Sequence, residues 1–160
     1  MLYMIIRKAE LRDLLKLVEF DSMLKKEYVR YNKEYFKSVD ETDFKKEITE
    51  YITNKIRSEK DAFFVALEDG KIVGMCIAEY EKRPPIFEYR DSGTIDSLYV
   101  SPEFRQKGIA TALLQESIAW FRSKNLKFAA ITVHELNLPA ISAYKKVGFR
   151  DFCKKMLIEP

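Results

Sequence analysis

Histidine, cysteine and glycine are all scarce in this chain of 160 residues, which carries one, two and five of them respectively. With a single His134, and with Cys76 and Cys153 far apart, no Cys/His spacing suits a zinc site and no disulfide framework is indicated. A reducing cytoplasm is the expected setting, and no metal is expected. Long apolar runs are missing too. Nothing approaches the roughly 18–20 consecutive apolar residues that a membrane-spanning helix needs, and the short run that opens the chain breaks into charge at Arg7 and Lys8. The expectation is a soluble, unexported protein with no membrane partner. A strong excess of one charge is also absent: 28 basic residues face 25 acidic ones, a net charge of +3. That is too little for the phosphate-tracking stripe of a nucleic-acid binder, and the basic–aromatic stretch KKEYVRYNKEY reads as ordinary helix surface.

What is present is 47% hydrophobic and 33% charged residues, interspersed along the chain. This length buries a full core without staples, so residues 1–160 are read as one globular domain. YMIIRK (3–8) is short and β-prone. The pattern after it places Leu11, Leu14, Leu15, Val18 and Met23 on roughly one helical face. Ser38 with Glu41 forms a capping-box signature for a second helix, on which Phe44, Ile48, Tyr51, Ile52 and Ile56 recur at spacings of three and four, ending near Ser58. From Ala62 the period changes. FFVALE and KIVGMCIAEY flank Asp69-Gly70, a hairpin dipeptide. A Pro-Pro loop, EKRPPIFEYRDSG, then leads into the strand TIDSLYV, which Ser101-Pro102 stops.

The helix IATALLQESIAWFRSKN follows, with Ala110, Leu113, Leu114, Ile118 and Phe121 as its apolar stripe. FAAITVH reads as a strand. Asn137 and Pro139 then start a short helix that Gly148 closes, and a last strand, FRDFCKKMLI, is expected to complete the chain with both cysteines packed in strands. The order βααββ, βαβ, αβ predicts an α/β fold with one mixed, largely antiparallel sheet flanked by about four helices.

The stretch richest in chemistry runs from TIDSLYV through SPEFRQKGIA. A glycine-bearing turn from a strand into a helix presents successive backbone N–H groups, and the helix start adds partial positive charge, so an anion such as phosphate fits there. Arg105 and Lys107 are near enough in sequence to assist, and Gly108 lets backbone approach closely. A Walker A loop would need a second glycine and Lys-Ser or Lys-Thr, and a dinucleotide fingerprint three glycines, so neither matches.

Arg105-Gln106-Lys107-Gly108-Ile109-Ala110 resembles the pyrophosphate loop Q/R-x-x-G-x-G/A of the GNAT superfamily of N-acetyltransferases. The strand end LYVSPEF before it, ITVHELNLPAISAYKKVGF after it and the opening IRKAELRDLLKL extend the resemblance over nearly the whole chain. The resemblance implies acetyl-CoA as co-substrate, held at its pyrophosphate by the loop and by Thr111, with Leu98, Tyr99 and Val100 along the pantetheine arm. Asn137, Ala140 and Tyr144 match the family element N-x-x-A-x-x-x-Y, which implies that Asn137 contacts the pantetheine and that Tyr144 is the general acid. Asp96, or alternatively His134 or water, is implied as the base for a primary amine acceptor attacking directly.

By unbroken alternation Asp96 shares a face with Leu98 and Val100, whereas a bulge would reverse it. Tyr28, Tyr31, Tyr35, Phe36, Phe87, Tyr89, Glu79, Glu81 and Glu88 fall in the segments that build the acceptor site in the family, and aromatics with carboxylates suit a cationic amine. A non-catalytic acyl-CoA-binding module is the alternative of the same fold, and a homodimer is an analogy drawn from the family.

Overall fold

The computed structural model of the chain describes residues 4–31 and 41–158. The proposed Ser38 cap and the aromatics Tyr35 and Phe36 lie outside these residues. Strand β1 (Met4–Lys8) is followed by a single 3-10 turn at Leu11–Asp13 and by α1 (Leu14–Tyr31). Helix α2 (Glu41–Arg57), the hairpin β2 (Ala62–Glu68) and β3 (Lys71–Lys82), and β4 (Asp91–Val100) come next. Then come α3 (Ile109–Ser123), β5 (Ala129–Ile131) and α4 (Leu138–Lys146). The five strands lie side by side in chain order; only the β4–β5 pair is parallel. This is the mixed, largely antiparallel sheet with four helices that the sequence predicts.

Hydrophobic periodicity explains the layering. Phe63, Val65, Met75, Ile77 and Tyr99 face α1 and α2, where Leu17, Phe20, Leu24, Ile48 and Ile52 cover them. Phe64, Ala66, Cys76, Ala78, Ile95 and Val100 face the opposite way, under Leu113, Leu114, Trp120 and Phe121 of α3. Strands β2 and β3 are therefore covered on both faces, so they read as continuous apolar runs. The hairpin between them turns on Asp69 and Gly70, whose φ values of 49° and 76° are the left-handed pair that a two-residue turn requires.

Three expectations change. The buried face of α1 is Leu17, Val18, Phe20, Asp21 and Leu24, while Leu15 is 85% exposed and Leu11 and Met23 are also exposed. The 3-10 turn resets the helix: Asp13 accepts two hydrogen bonds from Arg7, at 2.7 and 2.9 Å, and one from the Glu10 amide, so α1 starts at Leu14 on a different face. The Arg7 guanidinium holds the Asp13 carboxyl below the usual carboxylate range.

The expected strand FAAITVH shrinks to three residues. The last expected strand does not form. Residues 151–158 have no regular structure and are exposed, Cys153 among them, and their charges at Asp151, Lys154 and Lys155 leave no uninterrupted apolar face to bury.

Gly93, the third residue of β4, is required by packing. A Cβ there would overlap the ring of the buried Phe121. Gly93→Ala is expected to lower the unfolding free energy by about 1–3 kcal/mol through overpacking, read as an earlier midpoint in urea denaturation. Phe121→Leu introduced into that background should recover part of the loss.

Candidate functional site

The β4–β5 ladder is short. Gly93, Thr94 and Ile95 pair with Ala129, Ala130 and Ile131, and pairing ends there while β4 runs on to Val100. Over residues 96–100 no strand among the described residues pairs with the edge of β4 that faces away from β3. Backbone polar groups along such an edge are open to a ligand that pairs as a strand would.

At the same place the β3–β4 register slips. Ile77 pairs with Ser97 and Ala78 with Ile95, so Asp96 is the extra residue of a bulge. The bulge settles the alternation: Asp96 does not share a face with Leu98 and Val100. It lies with Ser97 on the side of α1 and α2, while Ile95, Leu98 and Val100 stay on the α3 side.

Asp96 lines a cleft of about 290 Å³ together with Asp21, Leu24, Lys25, Tyr28, Tyr51 and Ser97. Its Oδ2 accepts from the Tyr51 hydroxyl at 2.5 Å and from Ser97 Oγ at 2.8 Å. Burial, with the adjacent carboxylate adding to it, pushes the Tyr51 phenol far up, so Tyr51 stays a proton donor to Asp96. Asp21 is fully buried and held by Lys25 at 2.5 Å. Burial raises its carboxyl above the ordinary value while Lys25 pulls the other way.

Tyr144, on α4, packs against the α3-side core and makes an edge contact with Phe149. Burial raises its hydroxyl well above the phenol value, and Tyr28 and Cys76 add in the same direction. Tyr28 packs against the core on the other face of the sheet.

Between β4 and α3 the chain turns through Pro102–Phe104 and then through two left-handed residues, Gln106 (φ 63°) and Gly108 (φ 82°), the second being the N-cap of α3. A Cβ on Gly108 would meet nothing within 4 Å, so the space in front of the helix start is open. Gln106, Lys107 and Gly108 are exposed, Ile109 is buried, and Ala110 and Thr111 are half-buried on the first turn.

Arg105 is engaged away from that space. Its Nε donates to the Val100 carbonyl at 2.9 Å, its guanidinium pairs with Glu27 at 2.5 Å, and it lies over the Tyr99 ring. Lys107 lies over Phe104. Asn137 caps α4 by accepting from the Ala140 amide, and the half-buried His134 stacks on Tyr31.

Of the aromatics and acids expected near an acceptor, Tyr28 lines the cleft. Glu79 pairs with Lys55, Phe87 and Tyr89 stand in the β3–β4 loop with Tyr89 against Phe128, and neither Glu81 nor Glu88 reaches the cleft. Sequence reasoning missed Asp21, Lys25 and Ser97, and took Tyr51 only as part of an apolar stripe. A signal for Asp21 existed: it is an acid inside the run Leu17, Phe20, Leu24, and acids there are rarely buried without a partner.

Cys76 is fully buried, 3.2 Å from Ser117 Oγ, and burial pushes its thiol up to about 12. A protonated thiol is a poor nucleophile. Treatment of the native protein with iodoacetamide is expected to add one group, at Cys153, with Cys76 modified only after denaturation; peptide mass mapping reads both sites.

The sequence pattern of the family described as Acetyltransferase (GNAT) matches residues 22–149. An uncharacterised N-acetyltransferase of Methanocaldococcus jannaschii is 29% identical over 151 residues, which cover 93% of this chain and 64% of that protein. An N-alpha-acetyltransferase of Sulfurisphaera tokodaii is 32% identical over 108 residues, 63% of this chain and 64% of its own length. The matches thus span under two thirds of each of these relatives. Among solved structures, that of a predicted acetyltransferase with acetyl-CoA from Clostridium acetobutylicum has a TM-score of 0.74 at 25% identity, covering 98% of this chain and 96% of that one. By sequence pattern and by fold, the chain belongs to the GNAT acetyltransferase family.

Proposed function

We propose that the protein is an acetyl-CoA-dependent N-acetyltransferase that acetylates a primary amine, and that the amine attacks directly in a ternary complex. The observation that carries this reading is the stop in β4–β5 pairing at Ile95, beyond which β4 runs on toward the turn that starts α3 and turns Asp96 into a cleft under α1 and α2. Acetyl-CoA fits the α3 start and the free edge of β4. Its pyrophosphate suits the open space before Gly108 and the unpaired amides of the first α3 turn, from Gly108 to Thr111. Its pantetheine amides suit the free edge of β4 at Leu98, Tyr99 and Val100, and Asn137 and Ala140, at the start of α4, are the residues assigned to its other side.

Acetyl-CoA supplies an electrophilic thioester carbonyl. The chain's residues do the rest. Asp96 takes a proton from the incoming ammonium, directly or through water, and the Tyr51 hydroxyl steadies the carboxylate that does so. A backbone N–H near Leu98 polarises the carbonyl oxygen. Tyr144, kept protonated by burial, delivers its proton to the leaving sulfur as the C–S bond breaks. The amine nitrogen gains the acetyl group and gives up its second proton, which returns to Tyr144 through solvent; the thiol leaves protonated, and no residue is acylated. His134, stacked on Tyr31, is the second candidate for the base.

Calorimetric titration tests the reading first. Acetyl-CoA and CoA are expected to bind with micromolar affinity, about −8 kcal/mol, and ATP far more weakly; no binding of either CoA species would remove the assignment. Gly108→Glu should weaken acetyl-CoA binding at least about tenfold by placing charge at the phosphate site, whereas Gly108→Ala, which shares the cost of a left-handed φ, should weaken it much less. Tyr144→Phe should lower kcat at least about tenfold with acetyl-CoA affinity nearly intact, because the hydroxyl acts in the transition state. Binding without turnover on any amine would favour the acyl-CoA-binding module instead.

A further inference from the structure

The cleft in front of Asp96 already contains one ammonium group, and it belongs to the chain. Lys25 Nζ lies 2.5 Å from Asp21 Oδ2, with the Tyr51 ring centroid 5.4 Å away and that of Phe44 5.7 Å away. A buried carboxylate beside aromatic faces is the surrounding that binds an alkyl ammonium. Here it is filled from within, by the residue one helical turn along α1.

The two carboxylates that line the cleft are therefore unlike. Asp21 is neutralised by Lys25, whereas the side chains that hydrogen-bond Asp96 are hydroxyls, those of Tyr51 and Ser97. A Lys–carboxylate pair one turn apart on an exposed helix surface contributes little and selects nothing. This pair differs, because Asp21 is 1% exposed and both residues line the cleft wall.

We propose that Lys25 is a specificity residue that restricts the acceptor to a single positive charge. It occupies the second ammonium position, so a monoamine is received at Asp96 while the distal ammonium of a diamine meets a like charge. Asp21 acts through Lys25 as its positioning residue. The proposal rests on the reading that the acceptor enters this cleft.

The test is calorimetric titration of the CoA-saturated protein with butylamine and with 1,4-diaminobutane. The wild type should bind butylamine at least as tightly as the diamine. Lys25→Met, which keeps the apolar stem and removes the charge, should shift the affinity ratio toward the diamine at least about tenfold, since the distal ammonium then takes the Asp21 site. Removing Lys25 leaves Asp21 buried without a cation, which costs stability, so Lys25→Gln, whose amide still donates to Asp21, gives the same reading should the Met variant not fold. Asp21→Asn combined with Lys25→Met should bind butylamine and lose the diamine gain.

An unchanged ratio in a folded Lys25 variant, tighter diamine than butylamine binding by the wild type, or binding of neither amine by any of these proteins would each overturn the proposal. Turnover separates it from the reading it rests on. The expected binding pattern with neither amine acetylated would sink the enzymatic reading and leave the role of Lys25 standing; acetylation of butylamine with an unchanged ratio would do the reverse.

Discussion

Hydrogen bonding between β4 and β5 stops at Ile95, and the rest of the site is arranged around that stop. A sheet paired along its whole length would separate α1 and α2 from α3 and α4 by a continuous layer of backbone. Parting the last two strands leaves the edge of β4 from Asp96 to Val100 without a strand beside it among the described residues. The bulge at Asp96 falls at the first residue past the stop. One irregularity thus leaves backbone unpaired for a ligand and turns a carboxylate to the opposite face.

Two ties keep the parting in place. Gly93, just before the stop, lets the Phe121 ring approach β4 closely, fixing α3 where the ladder is still intact. Arg105, just after the strand ends, binds the Val100 carbonyl, Glu27 of α1 and the Tyr99 face together. Its guanidinium joins the loop to α1, the helix that presents Asp21, Lys25 and Tyr28. Arg105 is therefore a brace, and the space in front of the backbone amides at the start of α3 is left open.

Features that depend on local chemistry were legible in the sequence: the Asp69-Gly70 turn, the Ser101-Pro102 stop, Gly108 at the start of α3 and Asn137 at the start of α4 each follow from one residue's conformational or capping preference. So was the layering of β2 and β3, because their runs are apolar throughout. What was not legible depends on neighbours. The face of α1 is set by Asp13 reaching back to Arg7, six residues and one strand end away. The direction of Asp96 is set by a register slip against β3, which no periodicity within β4 reveals. The tail from Asp151 to Ile158 has strand-like residues, yet a strand needs a partner edge as well as β-prone residues, and β5 is only three residues long.

The same dependence on neighbours explains why the cleft around Asp96 escaped a reading by residue type. Aromatics and acids chosen by composition pointed to the β3–β4 loop, where Phe87 and Tyr89 instead make contacts with Arg83 and Phe128. The acids that line the cleft sit where an apolar pattern conceals them, Asp21 within the stripe of α1 and Asp96 within a strand. A buried carboxylate is costly unless its charge is compensated, as Lys25 compensates Asp21, whereas Asp96 is exposed and its partners are hydroxyls. Hydroxyls stabilise an anion without cancelling it, so in the proposed reaction Asp96 is the carboxylate whose charge is left for an incoming ammonium. The contrast between the two acids thus follows from their partners together with their burial.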